Sequence, residues 1–156
     1  ALTTRFPIRT GFCTVLDIGA NADCRPEYLL QFALMGSAYA SKMNKIDQPR
    51  VGLLNNGEEP GKGNELVRNT YALLADSGLN FIGNVEAKDV FAGKADVVVA
   101  DGFTGNVFLK TSEAVAKLLV DFLKESLMSS PKPKIAEGCQ SQAGSQRDQS
   151  RAAVGN

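Results

Sequence analysis

An α/β fold, with a three-layer, mostly parallel open sheet, is predicted by three observations. Short apolar runs, partly β-branched, recur at 13–18, 50–54, 80–83 and 95–100. Segments of helical period separate most of them, and Gly-Asn pairs follow closely on apolar runs at Gly19-Ala20-Asn21, Gly63-Asn64, Gly83-Asn84 and Gly105-Asn106. Strands alternating with helices in this way are joined by right-handed crossovers and lie parallel. Four strands are few for a sheet covered on both faces, so the fold is expected to be incomplete, its edges open to pairing with further segments or another subunit.

Each element has its own signal. CTVLDI at 13–18 reads as a buried strand with Asp17 at its C-terminal end, and GANADC as its turn. A helix is expected from about Pro26 to about Met43, with Pro at the first helical position and Glu27 in the first turn. Its apolar side is Leu29, Leu30, Ala33, Leu34 and 37–38, and Pro49 closes the connection. RVGLL at 50–54 is a second strand, and the loop NNGEEPGKGNEL leads to a helix over 64–76 with Leu66, Thr70, Leu73 and Leu74 on one face. NFIG at 80–83 is a third strand. ADVVVA at 95–100 is a fourth, a continuous apolar run of the kind buried on both faces of a parallel sheet.

DGFTGN after it reads as a bare turn ahead of a long helix. That helix carries Lys110, Glu113, Lys117, Asp121 and Lys124 on one face and Phe108, Val115, Leu118, Leu119 and Phe122 on the other, a stripe expected to pack on the sheet. Glu113 and Lys117 form an i,i+4 pair in the favourable order. From Pro131 onward the chain is rich in Gln, Ser, Lys and Arg, lacks aromatics and shows no apolar period. The expected organisation is therefore a folded portion over 1–130 and a disordered polar tail over 131–156.

Composition narrows function. With 17 Lys+Arg against 17 Asp+Glu, no net field draws the chain to nucleic acid or anionic lipid, so any anion must be held locally. No apolar run approaches a membrane span, and the start, ALTTRFPIRTG, has no signal-peptide core, which predicts a cytoplasmic chain. The absent initiator Met predicts a start inside a longer protein. Cys13, Cys24 and Cys139 have no CxxC spacing, as expected in a reducing compartment without a disulfide framework or zinc site. Cys13 reads as a core residue, and Cys24, lacking a local base, as inert. There is no histidine at all. This removes the commonest general base, nucleophile partner and zinc ligand, so triad and zinc hydrolases are disfavoured and any chemistry should position an already nucleophilic substrate.

The sharpest local signal is the loop over 55–66. Gly57, Gly61 and Gly63 permit tight turns, and Lys62 lies just ahead of a helix N-terminus, where a cation opposes the macrodipole unless an anion lies between. Lys62 is thus either a phosphate ligand or a solvated lysine. The GxxxxGK[ST] spacing of a P-loop is absent, and no GxGxxG follows the first strand, which disfavours a nicotinamide dehydrogenase. Asp17 and Asp101 both end apolar strands ahead of Gly-Asn turns, suggesting two sides of one crevice. Each carboxylate either caps the next helix or organises loop N–H groups; capping is favoured for Asp17 and function for Asp101. Thr104 either caps or donates to a ligand, and Asn84 reads as a turn residue or helix cap.

DIGAN at 17–21, CRPEYLLQFALMGSAYA at 24–40, VGLLNNGEEPGKGNEL at 51–66, NFIGNVEAKD at 80–89 and ADVVVADGFTGNVFLKT at 95–111 together closely resemble the bacterial phosphate acyltransferases. The resemblance runs in order from Cys13 to about Leu127 and stops near Ser129. It implies a fold related to the phosphotransacetylase and isocitrate dehydrogenase folds. It also implies transfer of a long-chain acyl group from acyl carrier protein to inorganic phosphate, giving acyl phosphate for phospholipid synthesis. A homodimer, cytosolic with weak peripheral membrane association and without metal or organic cofactor, is implied as well.

On that resemblance Lys62, Asn64, Asp101 and Asn106 are the catalytic candidates. Asp17, Gly19, Asn21, Asn55, Gly57, Gly63, Glu65, Gly102, Thr104 and Gly105 are the substrate- and phosphate-binding candidates. Lys62 and the amides near Gly63 and Asn64 would hold phosphate or an oxyanion, Asn21 and Asn106 would donate from facing loops, and Asp101 would fix their geometry. The alternatives are a short-chain phosphotransacylase using acyl-CoA and a non-catalytic fragment that dimerises or binds a partner. Family chains extend further at both ends.

Overall fold

The computed structural model describes residues 1–9 and 11–129; the tail expected over 131–156, with Cys139, lies outside them. The chain divides into two units, Ala1–Ala116 and Lys117–Asn156. In the first, the strands β1 (Thr3–Ile8), β2 (Gly11–Leu16), β3 (Val51–Leu54), β4 (Phe81–Val85) and β5 (Val97–Val99) form one sheet in the order β1-β2-β5-β3-β4. Only β1 runs antiparallel, paired with β2 from Thr3–Leu16 to Ile8–Gly11; the other pairings are parallel. The helices are α1 (Pro26–Asn44), α2 (Glu65–Ala75), α3 (Ala87–Ala92) and α4 (Gly102–Ser129).

Alternation along the strands separates two cores. Leu16, Val51, Leu53, Val97 and Val99 pack with Leu29, Phe32 and Ala33 of α1 and Val67 and Leu74 of α2. Cys13, Val15, Leu54, Val85 and Val98 face the other way, with Phe6, Val90 of α3, and Phe108 and Leu109 of α4. Both faces of the central strands are thus buried, as the continuous apolar run in β5 requires. This is the expected three-layer, mostly parallel arrangement.

The structure also corrects several expectations. Among the described residues there are five strands, because Thr3–Ile8 forms an antiparallel edge that carries Pro7, a residue tolerated at such a position. Residues 102–106 are not a turn: they are the first residues of α4. Residues 87–92, for which no helix is expected from the sequence, form a short helix whose reciprocal capping box joins Glu86 and Asp89. Burial of the apolar stripe on α4 is confined to its first turns, since Phe108 is partly buried and stacks on Phe6 at 4.9 Å whereas Val115 is exposed. Lys110 pairs with Glu113 at 3.1 Å, and this replaces the expected Glu113–Lys117 pair.

In the second unit, 117–129 are the described residues, all helical, and Leu118, Leu119, Phe122 and Leu123 are exposed there. No helix among the described residues is long and apolar enough to cross a membrane.

Candidate active site

Because β2, β5, β3 and β4 are parallel, Asp17, Asp101, Asn55 and Glu86 all follow strands at the same edge of the sheet. The helix after β3 packs on one face and the helix after β5 on the other. A crevice therefore opens between these strand ends, the position at which ligands bind in open α/β sheets. A cavity of about 450 Å³ occupies it, lined by Leu54, Asn55, Asn56, Gly63, Asn64, Val67, Ala87, Thr104, Val107 and Phe108.

The wall from β3 to α2 is organised by asparagines. Asn55 Nδ2 donates to the Lys62 carbonyl at 3.1 Å, and Asn55 Oδ1 accepts from the Asn56 amide at 2.8 Å. Gly63 has φ 92, and a Cβ there would lie 2.6 Å from Asn55 Oδ1, so both its conformation and the approach of Asn55 call for glycine. Asn64 caps α2: its Oδ1 accepts from the Val67 amide at 2.9 Å, which leaves Nδ2 directed elsewhere. Among the described residues, the amides of Gly63, Asn64 and Glu65 engage no acceptor, and Lys62 forms no ion pair. Donors without acceptors at a helix N-terminus are the arrangement that favours an anion, and Lys62 directly precedes them in sequence. Gly57 is buried under the Lys62 stem, whose Cγ would lie 3.1 Å from a Cβ at Gly57. Glu65 opens α2, exposed and outside the cavity wall.

A second cluster joins the loop after β2 to the start of α4. The buried Asp17 carboxylate accepts from the amides of Leu2, Gly19, Ala20 and Asn21 and from Asn21 Nδ2, at 2.7–3.1 Å. Burial pushes its pKa up, but these hydrogen bonds, led by the Ala20 and Leu2 amides, outweigh it and hold the carboxyl at about 2. The Gly102 amide donates to the Asn21 carbonyl at 2.7 Å. A Cβ on Gly105 would lie 1.8 Å from the Asp17 carbonyl oxygen, and one on Gly102 2.7 Å from that of Asn21, so the two glycines let helix and loop meet. Asn106 lies beside Gly19.

The two aspartates divide their roles contrary to the sequence reading. Asp17 organises loop amides, whereas Asp101 caps α4, accepting from the Thr104 amide at 2.8 Å and from Thr104 Oγ1 at 2.7 Å. The Thr104 hydroxyl proton is therefore directed at Asp101, not at the cavity. Asn21, with its side chain on Asp17 and its carbonyl on Gly102, is a brace. Of the sequence candidates, the cavity brings together Asn55, Gly63, Asn64 and Thr104, with Lys62 adjacent in sequence. Asp17, Gly19, Asn21, Asp101, Gly102, Gly105 and Asn106 form the neighbouring cluster. The apolar lining of Leu54, Val67, Ala87, Val107 and Phe108 was missed; its signal was the strand and helix register, not any motif.

The two thiols among the described residues, Cys13 and Cys24, are not poised as nucleophiles. Burial, with Asp96 nearby, pushes Cys13 up to about 12. Burial also raises Cys24, against the hydrogen bond from Gly102 and with Asp101, Asp17 and Asp23 adding to it. Glu58, Glu86 and Asp89 bring carboxylates within 4.8 Å of one another, but Lys94 pairs with Glu58 at 3.0 Å and Asp89 at 3.8 Å, and Lys88 pairs with Glu86. Lysines thus balance the one acidic trio among the described residues.

Fold and site together define an α/β protein with a crevice at the strand ends of a mostly parallel sheet. The sequence profile of the fatty acid synthesis protein family matches residues 1–141, further than the residues quoted above reach. The chain is 57% identical over 122 residues to a phosphate acyltransferase of Oceanobacillus iheyensis, an overlap of 78% of this chain and 37% of that protein. It is 54% identical over 137 residues to one of Lysinibacillus sphaericus, covering 87% of this chain and 42% of the relative. A phosphate acyltransferase of Acidobacterium capsulatum is 54% identical over 129 residues, 83% of this chain and 38% of its own. The chain belongs to the fatty acid synthesis protein family, and it spans less than half the length of these relatives.

Proposed function

We propose that this chain carries the phosphate- and oxyanion-binding part of a phosphate acyltransferase that moves a long-chain acyl group from acyl carrier protein to inorganic phosphate. The observation that carries the reading is the set of unengaged amides at Gly63, Asn64 and Glu65, next to Lys62 in sequence, of which Gly63 and Asn64 line a cavity at the switch point of the sheet. The name that its relatives carry, phosphate acyltransferase, supports it.

The chemistry suits a chain without histidine. Phosphate near neutral pH is already an anionic nucleophile, and a thiolate is an adequate leaving group, so no strong base is needed. A phosphate oxygen attacks the thioester carbonyl carbon, the carbonyl oxygen takes up negative charge, and the C–S bond then breaks, releasing a thiolate that solvent protonates. Lys62 and the α2 amides stabilise the charge, and Asn64 Nδ2 and Asn106 donate from facing walls. Asp17, Asn21 and Asp101 keep those walls in place. The apolar lining receives the acyl methylenes nearest the carbonyl. No metal or organic cofactor has a part in this scheme.

The same reading takes the protein as a cytoplasmic homodimer with weak peripheral membrane contact, for which the exposed Leu118, Leu119, Phe122 and Leu123 supply apolar surface. The test uses the protein containing this chain, follows phosphate-dependent thiol release from acyl carrier protein thioester, and repeats it with Lys62→Ala. Release that falls at least about tenfold in the variant is expected, in line with loss of one oxyanion-stabilising group. Unchanged kcat and phosphate KM would remove Lys62 from the mechanism, and a preference for acyl-CoA would overturn the carrier-protein assignment.

A further inference from the structure

Of the Gly-Asn pairs, Gly83-Asn84 has no part in the scheme above. Its place in the sheet is nevertheless unusual. Val51 faces Phe81 but Gly52 faces Gly83, so β4 holds one residue more than β3 at that point. Gly83, at φ 93, takes a positive-φ conformation there that glycine adopts without steric cost. An unbroken strand would put Asn84 on the same face as Ile82, in the core formed by Leu54 and Val85. The shift instead sets Asn84 opposite Leu53 and returns Val85 to its place opposite Leu54.

Re-aimed in this way, Asn84 is 3% exposed and reaches the Lys62 loop. Its Nδ2 donates to the Glu59 carbonyl at 2.8 Å. The same carbonyl accepts from the Lys62 amide at 3.0 Å. The Lys62 carbonyl is in turn held by Asn55 Nδ2 at 3.1 Å. Both backbone groups of Lys62 are thereby tied, directly or through the Glu59 carbonyl, to residues at the ends of β3 and β4, and the Asn84 link comes from a buried side chain.

We propose that Asn84 is a positioning residue: through the Glu59 carbonyl it anchors the turn that presents Lys62 and Gly63 to phosphate, a role that rests on the reading of this loop as the phosphate site. Asn84→Asp keeps the shape and removes the donor, and Asn84→Ala removes both. Three readouts apply to each variant: amide exchange at Lys62, amide exchange at the core residues Leu53 and Val98, and the dissociation constant for inorganic phosphate.

Loss of this one hydrogen bond should raise Lys62 exchange and weaken phosphate binding by about tenfold each, with core exchange unchanged. A wholly structural role would move the core amides equally. Unchanged Lys62 exchange and phosphate affinity in both variants would overturn the proposal. Should the variants lose core protection, the wild-type protein decides, because the Asn84 Nδ2 protons must then be protected as well as the Lys62 amide; freely exchanging ones overturn it. Lys62→Ala separates the two readings. If it leaves phosphate affinity unchanged, the phosphate reading fails, while the exchange data still report whether Asn84 anchors the loop.

Discussion

At the residue scale, Asp17 shows how a motif can be visible while its role is not. The strand end and the Gly-Asn turn were legible in DIGAN. That the carboxylate would collect the loop amides, leaving them unavailable to a ligand, was not, because the direction of N–H groups depends on three-dimensional loop geometry. The folded pKa, near 2, lies below the usual carboxylate value, so the group adds stability above about pH 4 that is lost as pH falls through 2. A shift of this size corresponds to about 2 kcal/mol. Asparagine in place of the aspartate is not a neutral isostere, since its amide would oppose the inward N–H groups. Asp17→Asn should therefore lower stability near neutral pH by roughly 2 kcal/mol or more and flatten the profile between about pH 2 and 4, as read from urea midpoints.

Gly105 gives the complementary case of space. An added methyl would overlap the backbone of Asp17, which cannot swing aside as a side chain could. Gly105→Ala should cost more than about 3 kcal/mol, measured by denaturant unfolding; a change under about 1 kcal/mol would mean that helix and loop do not meet as described.

At the scale of elements, long periodic segments were legible and short or edge segments were not. α1 was marked by Pro26 and Glu27, and β5 by its apolar run, so both lie within two residues of their expected bounds. β1 was hidden because a strand open on one side needs little apolar character, and Pro7 argues against a strand unless an edge is assumed. The glycines of GFTGN masked the start of α4, since glycine disfavours helix; the close approach to Asp17 overrides that propensity. α4 itself shows that an apolar stripe says nothing of where burial stops. Phe108→Ala, which removes a ring stacked on Phe6, should cost about 2–4 kcal/mol, whereas Leu119→Ser at an exposed site should change stability by less than about 0.5 kcal/mol. Thermal melts of the two variants check the contrast, and equal losses would contradict it.

At the scale of the molecule, parallel topology converts four separate turns into one edge, and that edge divides the work. The β3–α2 wall keeps free donors, the β2–α4 junction spends its donors internally as a brace, and β4 reaches across to the loop that bears Lys62. A chain with balanced charge binds an anion only through such a local arrangement. The fold class and the Lys62 loop were legible because both rest on local glycine and apolar patterning. The division between donor wall and brace emerges only when strand order is known.

That division is tested most directly by titrating inorganic phosphate into the protein and following backbone amide resonances. Shifts centred on Gly63, Asn64 and Glu65, with Gly19, Ala20 and Asn21 little changed, are the expected result. Shifts centred on Gly19 to Asn21, or none at either wall, would contradict it.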